Sequence, residues 1–329
     1  MVLDHKMSSI KYFMCAFLVL QWTEAKPLIK SVENAKPIIG VMTQAVTSSS
    51  LMKYGNSYLP ENYVNYLQSA GARVVPVLIN QTDDYYNMLY QSINGILFPG
   101  GSAGEEGLLN TGLGKAAAMF YNNSIKGYDQ SSDYFPLWGT CEGFQLLSML
   151  TAQKDLLTNT DTEDKVFPLT LAKDYKDSRL FGSSAMGDDI LHILTTKNIT
   201  YNAHNWALTT KNYSANTDLK KFYRIISTNI DDHGIEFIST MEAFKYPIYG
   251  IQWHPEKSLF QWTDGHIPHD DDAVRVAQYM ANFFVGEARK STHKFKSEDQ
   301  EAQHLIYNAR PAVNIGNVID GKRYYFWTV

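Results

Sequence analysis

The residues best placed to do chemistry gather around one thiol. In Phe135-Pro-Leu-Trp-Gly-Thr-Cys141-Glu-Gly-Phe-Gln145 an apolar run ends in Gly-x-Cys-x-Gly, and an amphipathic segment follows. Gly139 and Gly143 permit a tight strand-to-helix turn that pushes the central side chain out at the carboxyl edge of a sheet. There the thiol meets a helix N-terminus, whose unpaired N–H groups and dipole favour thiolate over thiol. A sulfur so placed is a nucleophile for acyl transfer.

Such a nucleophile needs a base. Gly250-Ile-Gln-Trp-His254-Pro-Glu256 offers His254 at the end of an apolar strand, with Glu256 two residues on. In an extended chain positions i and i+2 face the same side, so the Glu256 carboxylate is expected to orient the imidazole. Acyl transfer also needs donors for a developing oxyanion. The Gly101 N–H, in the Gly-Gly that follows the predicted strand ending at Phe98, and the Glu142 N–H suit that role. The Glu142 carboxylate would oppose thiolate formation if it turned inward, so it is expected to point to solvent.

The elements that must position these groups can be read from hydrophobic patterning. Short apolar runs at residues 37–42, 74–79, 95–98 and 135–138 alternate with helix-like stretches at 61–70 and near 115–121. That alternation predicts an α/β fold, a parallel sheet with helices on both faces. Beyond Ala152 short strands such as residues 235–239 and 249–253 suit an antiparallel edge. From 271 to 290, Val274, Ala277, Met280, Phe283 and Phe284 recur at helical spacing behind an acidic start. The tail, 291–329, is polar and has no assigned role.

Lys6, Lys11, the apolar run 12–20 and Thr23-Glu24-Ala25 read as a secretory signal over 1–25, leaving one domain over 26–329 with its core at about 36–290. The apolar run is too short for a bilayer-spanning helix, so no membrane association is expected after cleavage. A net charge of −5 without basic clusters excludes nucleic acid as a partner. Four sequons, at Asn80, Asn122, Asn198 and Asn212, suit a luminal glycoprotein, lysosomal or secreted. Of 2 cysteines, Cys15 falls in the signal. Cys141, left alone, bridges to another chain, lies inert, or reacts. His266 and His269 share an acidic loop with Asp264 and Asp270 to Asp272, which reads as a solvated loop; no metal or cofactor is assigned.

Taken together, Pro99-Gly-Gly101, Gly139-Thr-Cys141-Glu-Gly-Phe-Gln145 and Trp253-His254-Pro-Glu256 resemble the class I glutamine amidotransferase-like family. Within it, residues 136–141, Ala203-His-Asn-Trp206 and residues 246–257 look like the γ-glutamyl hydrolases, over roughly 36–290. The resemblance implies a three-layer, flavodoxin-like, mostly parallel sheet. It also implies a Cys141–His254 pair assisted by Glu256, and cleavage of folate and antifolate poly-γ-glutamates without a cofactor. By the same likeness Gln145 and His204 face the substrate, and the protein is a homodimer. The alternatives are a glutaminase-type amidohydrolase and a catalytically silent binding protein of the same fold.

Overall fold

The computed structural model describes residues 33–101, 107–182, 186–262, 265–311 and 323–329. The expected signal segment, Ser102 and Asp264 lie outside the described residues. In chain order the first half runs β1 (Ile38–Met42), β2 (Gln44–Ala45), β3 (Ser57–Pro60), α1 (Glu61–Ser69), β4 (Arg73–Val77), α2 (Asp83–Tyr90), β5 (Ile96–Phe98), α3 (Gly112–Ser131), β6 (Leu137–Thr140) and α4 (Glu142–Ala152). The second half runs β7 (Leu157–Phe167), β8 (Thr170–Leu171), α5 (Gly187–Thr196), β9 (Thr200–Leu208), α6 (Thr210–Ala215), α7 (Thr217–Phe222), β10 (Tyr223–Ile230), β11 (Glu236–Ala243), β12 (Ile248–Ile251), α8 (Pro255–Phe260), α9 (Asp271–Ala288), α10 (Glu298–His304) and β13 (Tyr324–Trp327).

An eight-stranded sheet in the order β4-β1-β5-β6-β12-β11-β10-β8 forms the middle layer. From β4 to β12 the neighbours run parallel; β11, β10 and β8 add the expected antiparallel edge. The parallel strands are covered on both sides, which is why β1 reads Ile-Ile-Gly-Val-Met with every residue buried. Leu89 of α2, Phe120 of α3 and Phe144 and Leu147 of α4 pack on one face. Val64 and Leu67 of α1 and Met280 and Phe284 of α9 pack on the other. This is the three-layer, flavodoxin-like arrangement.

Local signals set the helix ends. Asp270 caps α9 by accepting from the N–H groups of Asp272 and Ala273, and Asp271 and Asp272 fill its first turn. Gly71, just past α1, takes φ +86°, a left-handed conformation that suits glycine.

Residues 33–329 form one compact unit, so the described part of the tail belongs to the body of the protein. His293 anchors it against Tyr90 and Asp133, and β13 pairs antiparallel with β3 in a small sheet with β2. This strand is an aromatic run, Tyr-Tyr-Phe-Trp, in an otherwise polar tail, and it lies at a sheet edge, where only part of each side chain is covered. A separate antiparallel pair, β7 with β9, stands beside the carboxyl end of the main sheet.

Candidate active site

Strand β6 delivers Cys141 to its carboxyl end, beside β12, whose Ile251 carbonyl accepts from the Cys141 N–H at 2.8 Å. Cys141 stands at φ 53°, ψ −107°, a strained conformation for a residue with a side chain, and α4 starts immediately after it. The two glycines make this turn possible by close approach. A Cβ on Gly143 would fall 2.0 Å from the Phe98 carbonyl oxygen, and one on Gly139 would fall 2.5 Å from the Gly143 oxygen. The expected elbow is therefore present, with its helix dipole aimed at the sulfur.

His254 follows β12 and is held by its N–H, which donates to the Tyr201 carbonyl of β9 at 2.8 Å. Its Nδ1 lies 2.7 Å from Glu256 Oε1, and both side chains are buried. Contrary to expectation, the two do not share the face of an extended strand; Pro255 opens α8, and Glu256 lies in its first turn. The pairing survives because the helical turn brings the carboxylate back under the ring. His254 Nε2 is buried and has no hydrogen-bond partner among the described residues. With the Nδ1–H directed at Glu256, Nε2 presents its lone pair to the cleft.

That cleft is a cavity of about 260 Å³ lined by Cys141, His254, Glu256 and Gly101, together with Tyr58, Asn62, Tyr63, Lys257, Gln261 and Tyr324. Its protonation state is set by burial. Desolvation pushes the Cys141 thiol up to about 12, the Glu142 and Glu256 carboxylates adding to the effect and Lys257 opposing it. The expectation of a resting thiolate is thus reversed, because the cost of burying the charge outweighs the helix dipole. The sulfur instead lies 3.9 Å from the Ala203 carbonyl, within reach of a weak S–H bond. Burial, then Lys257, lowers the His254 pKa, with Glu256 pulling the other way. The resting pair is a thiol beside a neutral imidazole, with the base form of His254 available.

Glu142 also departs from expectation. Its carboxylate is 6% exposed and turns inward, where Gln44 Nε2 donates to Oε2 at 2.9 Å. Gln44 Nε2 also donates to the Gly100 carbonyl at 2.9 Å, which ties β2 to the loop carrying Gly101. An inward carboxylate is tolerated because it is hydrogen-bonded and the thiol beside it is neutral. The Glu142 backbone N–H is directed at the Cys141 sulfur.

The family model for peptidase C26 matches residues 37–256, a span that takes in Cys141, His254 and Glu256. The chain belongs to the peptidase C26 family. Its relatives include the gamma-glutamyl hydrolase of Homo sapiens, 46% identical over 294 residues that cover 89% of this chain and 90% of that one. The gamma-glutamyl hydrolase of Mus musculus is 40% identical over 325 residues, covering 98% and 100%, and that of Bos taurus is 44% identical over 293 residues, covering 89% and 90%.

In this peptidase C26 chain the remaining expected residues fall as follows. Gln145 Nε2 donates to the Trp206 carbonyl at 2.6 Å, tying α4 to β9 rather than lining the cavity. His204 is buried beneath the cleft with Thr162 Oγ1 2.8 Å from Nδ1 and Asn202 Oδ1 3.1 Å from Nε2. Burial, with His254 adding, drives its pKa down to about 3. Neither residue lines the cavity: the amide nitrogen of Gln145 and both ring nitrogens of His204 are taken up by β7 and β9.

Asn80, Asn122 and Asn198 are exposed, whereas Asn212 Nδ2 donates to the Leu156 carbonyl and to Thr158 Oγ1, which spends the nitrogen a glycan would need. His266 Nδ1 lies against Asp164 and His269 Nδ1 against the Ser258 carbonyl. Sequence reasoning missed Tyr63, whose hydroxyl accepts from the Gly100 N–H at 2.7 Å beside Glu256. It also missed Tyr58 and Tyr324, a T-shaped pair at 5.7 Å on the cavity wall. Their aromatic rings gave no signal distinct from core residues.

Proposed function

We propose that this chain hydrolyses γ-glutamyl amide bonds in folylpoly-γ-glutamates and their antifolate counterparts through a thioester on Cys141. The observation that carries the reading is the free Nε2 of His254, buried and opening on the cavity that Cys141 shares, with Nδ1 pinned by Glu256. The names of the curated relatives supply the substrate class.

As the Cys141 sulfur attacks the γ-carbonyl carbon, its proton passes to His254 Nε2 and the C–S bond forms. Charge on the carbonyl oxygen is met by the N–H groups of Gly101 and Glu142. The C–N bond then breaks, and His254 gives its proton to the departing amine. Water enters, loses a proton to His254 and attacks the thioester; the sulfur leaves and recovers the proton. The Glu256 carboxylate holds the imidazolium through both halves.

A secretory route, to the lysosome or out of the cell, is part of the same proposal and rests on the leader-like segment 1–25 and the exposed sequons. A homodimer is proposed on the family resemblance alone. The test is glutamate release from pteroyl-poly-γ-glutamate by the purified chain and by Cys141→Ala. Release that vanishes in the variant supports the reading. Hydrolysis of free glutamine with the polyglutamate left intact would favour a glutaminase, and no turnover of either a binding protein.

A further inference from the structure

The loop that carries Gly101 stands between two cavities. In front of it is the cleft with Cys141 and His254, which Gly100 and Gly101 line. Behind it Gln44 and Glu142 line a smaller cavity of about 70 Å³ with Thr111 and Leu113. Both side chains are buried, yet the chemistry above uses Glu142 only through its backbone and Gln44 not at all.

The Gln44 amide links the two sides. Its Nε2 donates to Glu142 Oε2 and to the Gly100 carbonyl, each at 2.9 Å. The loop runs so close that a Cβ on Gly101 would fall 1.8 Å from that nitrogen. Gln44 Oε1 is buried and has no partner among the described residues. The amide keeps this orientation because turning it over would set Oε1 against a carbonyl and a carboxylate, both acceptors. The Gly100–Gly101 peptide bond is trans, so its carbonyl and its N–H point in opposite directions. A carbonyl held back toward Gln44 therefore sends the Gly101 N–H forward, to the side of the cleft. The peptide unit before it is fixed as well, since the Gly100 N–H donates to the Tyr63 hydroxyl at 2.7 Å.

We infer that the Glu142 side chain is a positioning group for the oxyanion site: it orients the Gln44 amide, which orients the Gly100–Gly101 peptide, which aims the Gly101 N–H at the developing charge. Glu142 thus supplies one donor from its own backbone and sets the other through Gln44. This rests on the hydrolase reading above. The arrangement has an electrostatic cost, because the same carboxylate is among the charges that push the Cys141 thiol up. Its hydrogen bond and its charge act in opposite directions on the reaction, and substitution can separate them.

The test measures cleavage of pteroyl-di-γ-glutamate by the wild type, Glu142→Leu, Glu142→Gln, Gln44→Met and the double variant of Gln44→Met with Glu142→Leu. Glu142→Leu and Gln44→Met should each lower kcat by roughly 10- to 100-fold with little change in KM, as one oxyanion donor loses its aim. The double variant should be little worse than either single one, because both break the same linkage. Glu142→Gln keeps an acceptor for Gln44 Nε2 without the charge and should recover most of the lost kcat. Alkylation of Cys141 by iodoacetamide builds no oxyanion, so it should not slow in Glu142→Leu, whereas a collapsed site would lose both reactions. Wild-type kcat in a folded Glu142→Leu would overturn the inference. So would losses that multiply in the double variant, or alkylation that falls in step with kcat. If Glu142→Leu does not fold, Gln44→Met decides by the same two readouts, since the oxygen it removes has no partner among the described residues. Absence of cleavage by the wild type would remove the hydrolase reading and this inference together.

Discussion

Glu256 Oε1 lies 2.7 Å from His254 Nδ1 in a setting where both side chains are buried, so one carboxylate sets both the tautomer and the orientation of the imidazole. Only with Nδ1 protonated does Nε2 accept a proton from Cys141. Glu256→Ala should therefore lower kcat by roughly 10²-fold with a small change in KM, since it removes help given mainly as the imidazolium forms. Steady-state kinetics on a γ-glutamyl substrate measures this. A Glu256→Ala enzyme with wild-type kcat would mean that packing alone holds the ring.

The pH dependence follows from two opposite shifts. His254 acts as base when neutral, and burial with Lys257 holds its pKa below the usual 6.5. The acid limb of kcat/KM is thus expected below pH 6.5, leaving activity in mildly acidic solution. Because the Cys141 thiol is pushed up to about 12, iodoacetamide should alkylate the resting enzyme more slowly than free cysteine at neutral pH. A pH–rate profile and a timed alkylation check the two halves separately.

Steric predictions are sharper at two glycines. A Cβ on Gly100 would fall 2.6 Å from His254 Cε1 and 3.1 Å from Cys141 Cβ. Gly100→Ala should displace the catalytic ring and cut activity by an order of magnitude or more, while changing stability little. At Gly143 the obstacle is the Phe98 carbonyl, a backbone group that cannot step aside. Gly143→Ala is expected to cost about 3 kcal/mol and lower the thermal midpoint visibly. Thermal unfolding of the two variants side by side separates the effects.

His293 predicts a pH-dependent contribution to stability. Its Nδ1 lies 2.6 Å from the Tyr90 carbonyl and its Nε2 2.8 Å from Asp133 Oδ1, and both partners are acceptors, so the ring is doubly protonated. Burial works against that charge, but the Asp133 carboxylate prevails and the His293 pKa is raised above 6.5. Burial likewise works against the Asp133 charge, yet His293 and Tyr90 hold its pKa below 3.8. A raised histidine stabilises fully below about 6.5 and loses that contribution as pH rises through its folded value. A depressed carboxylate stabilises above about 3.9 and loses it as pH falls through its folded value. The contact is therefore strongest in mild acid. Urea unfolding should show His293→Ala costing about 1–2 kcal/mol at pH 5 and less at pH 8.5.

Much of this was legible before any coordinates. The Gly-x-Cys-x-Gly turn announced itself because only a crowded strand-to-helix junction needs glycine on both sides of a side chain, and the alternating apolar runs found the parallel strands within a residue or two. His254 and Glu256 were recognisable by context, although a proline-started helix rather than an extended chain joins them. What escaped was whatever depends on distant partners. The inward turn of Glu142 is decided by Gln44, the retreat of Gln145 by the Trp206 carbonyl, and the protonation of Cys141 by how completely the fold covers it. None of these partners lies near its target in sequence.

The pairing of β13 with β3 bears on how the enzyme is made. Asn56 Nδ2 donates to the Val329 carbonyl, and the Val329 N–H returns a bond to Asn56 Oδ1, each at 2.8 Å, which fixes the strand in register. This strand carries Tyr324 to the cleft wall from far along the chain, and contacts of such long sequence separation form late. Until that strand is in place, the groove that holds Cys141 and His254 lacks the wall that Tyr324 supplies. The cleft is therefore walled on that side only once residues 324–327, drawn from the far end of the sheet's sequence, have docked on β3.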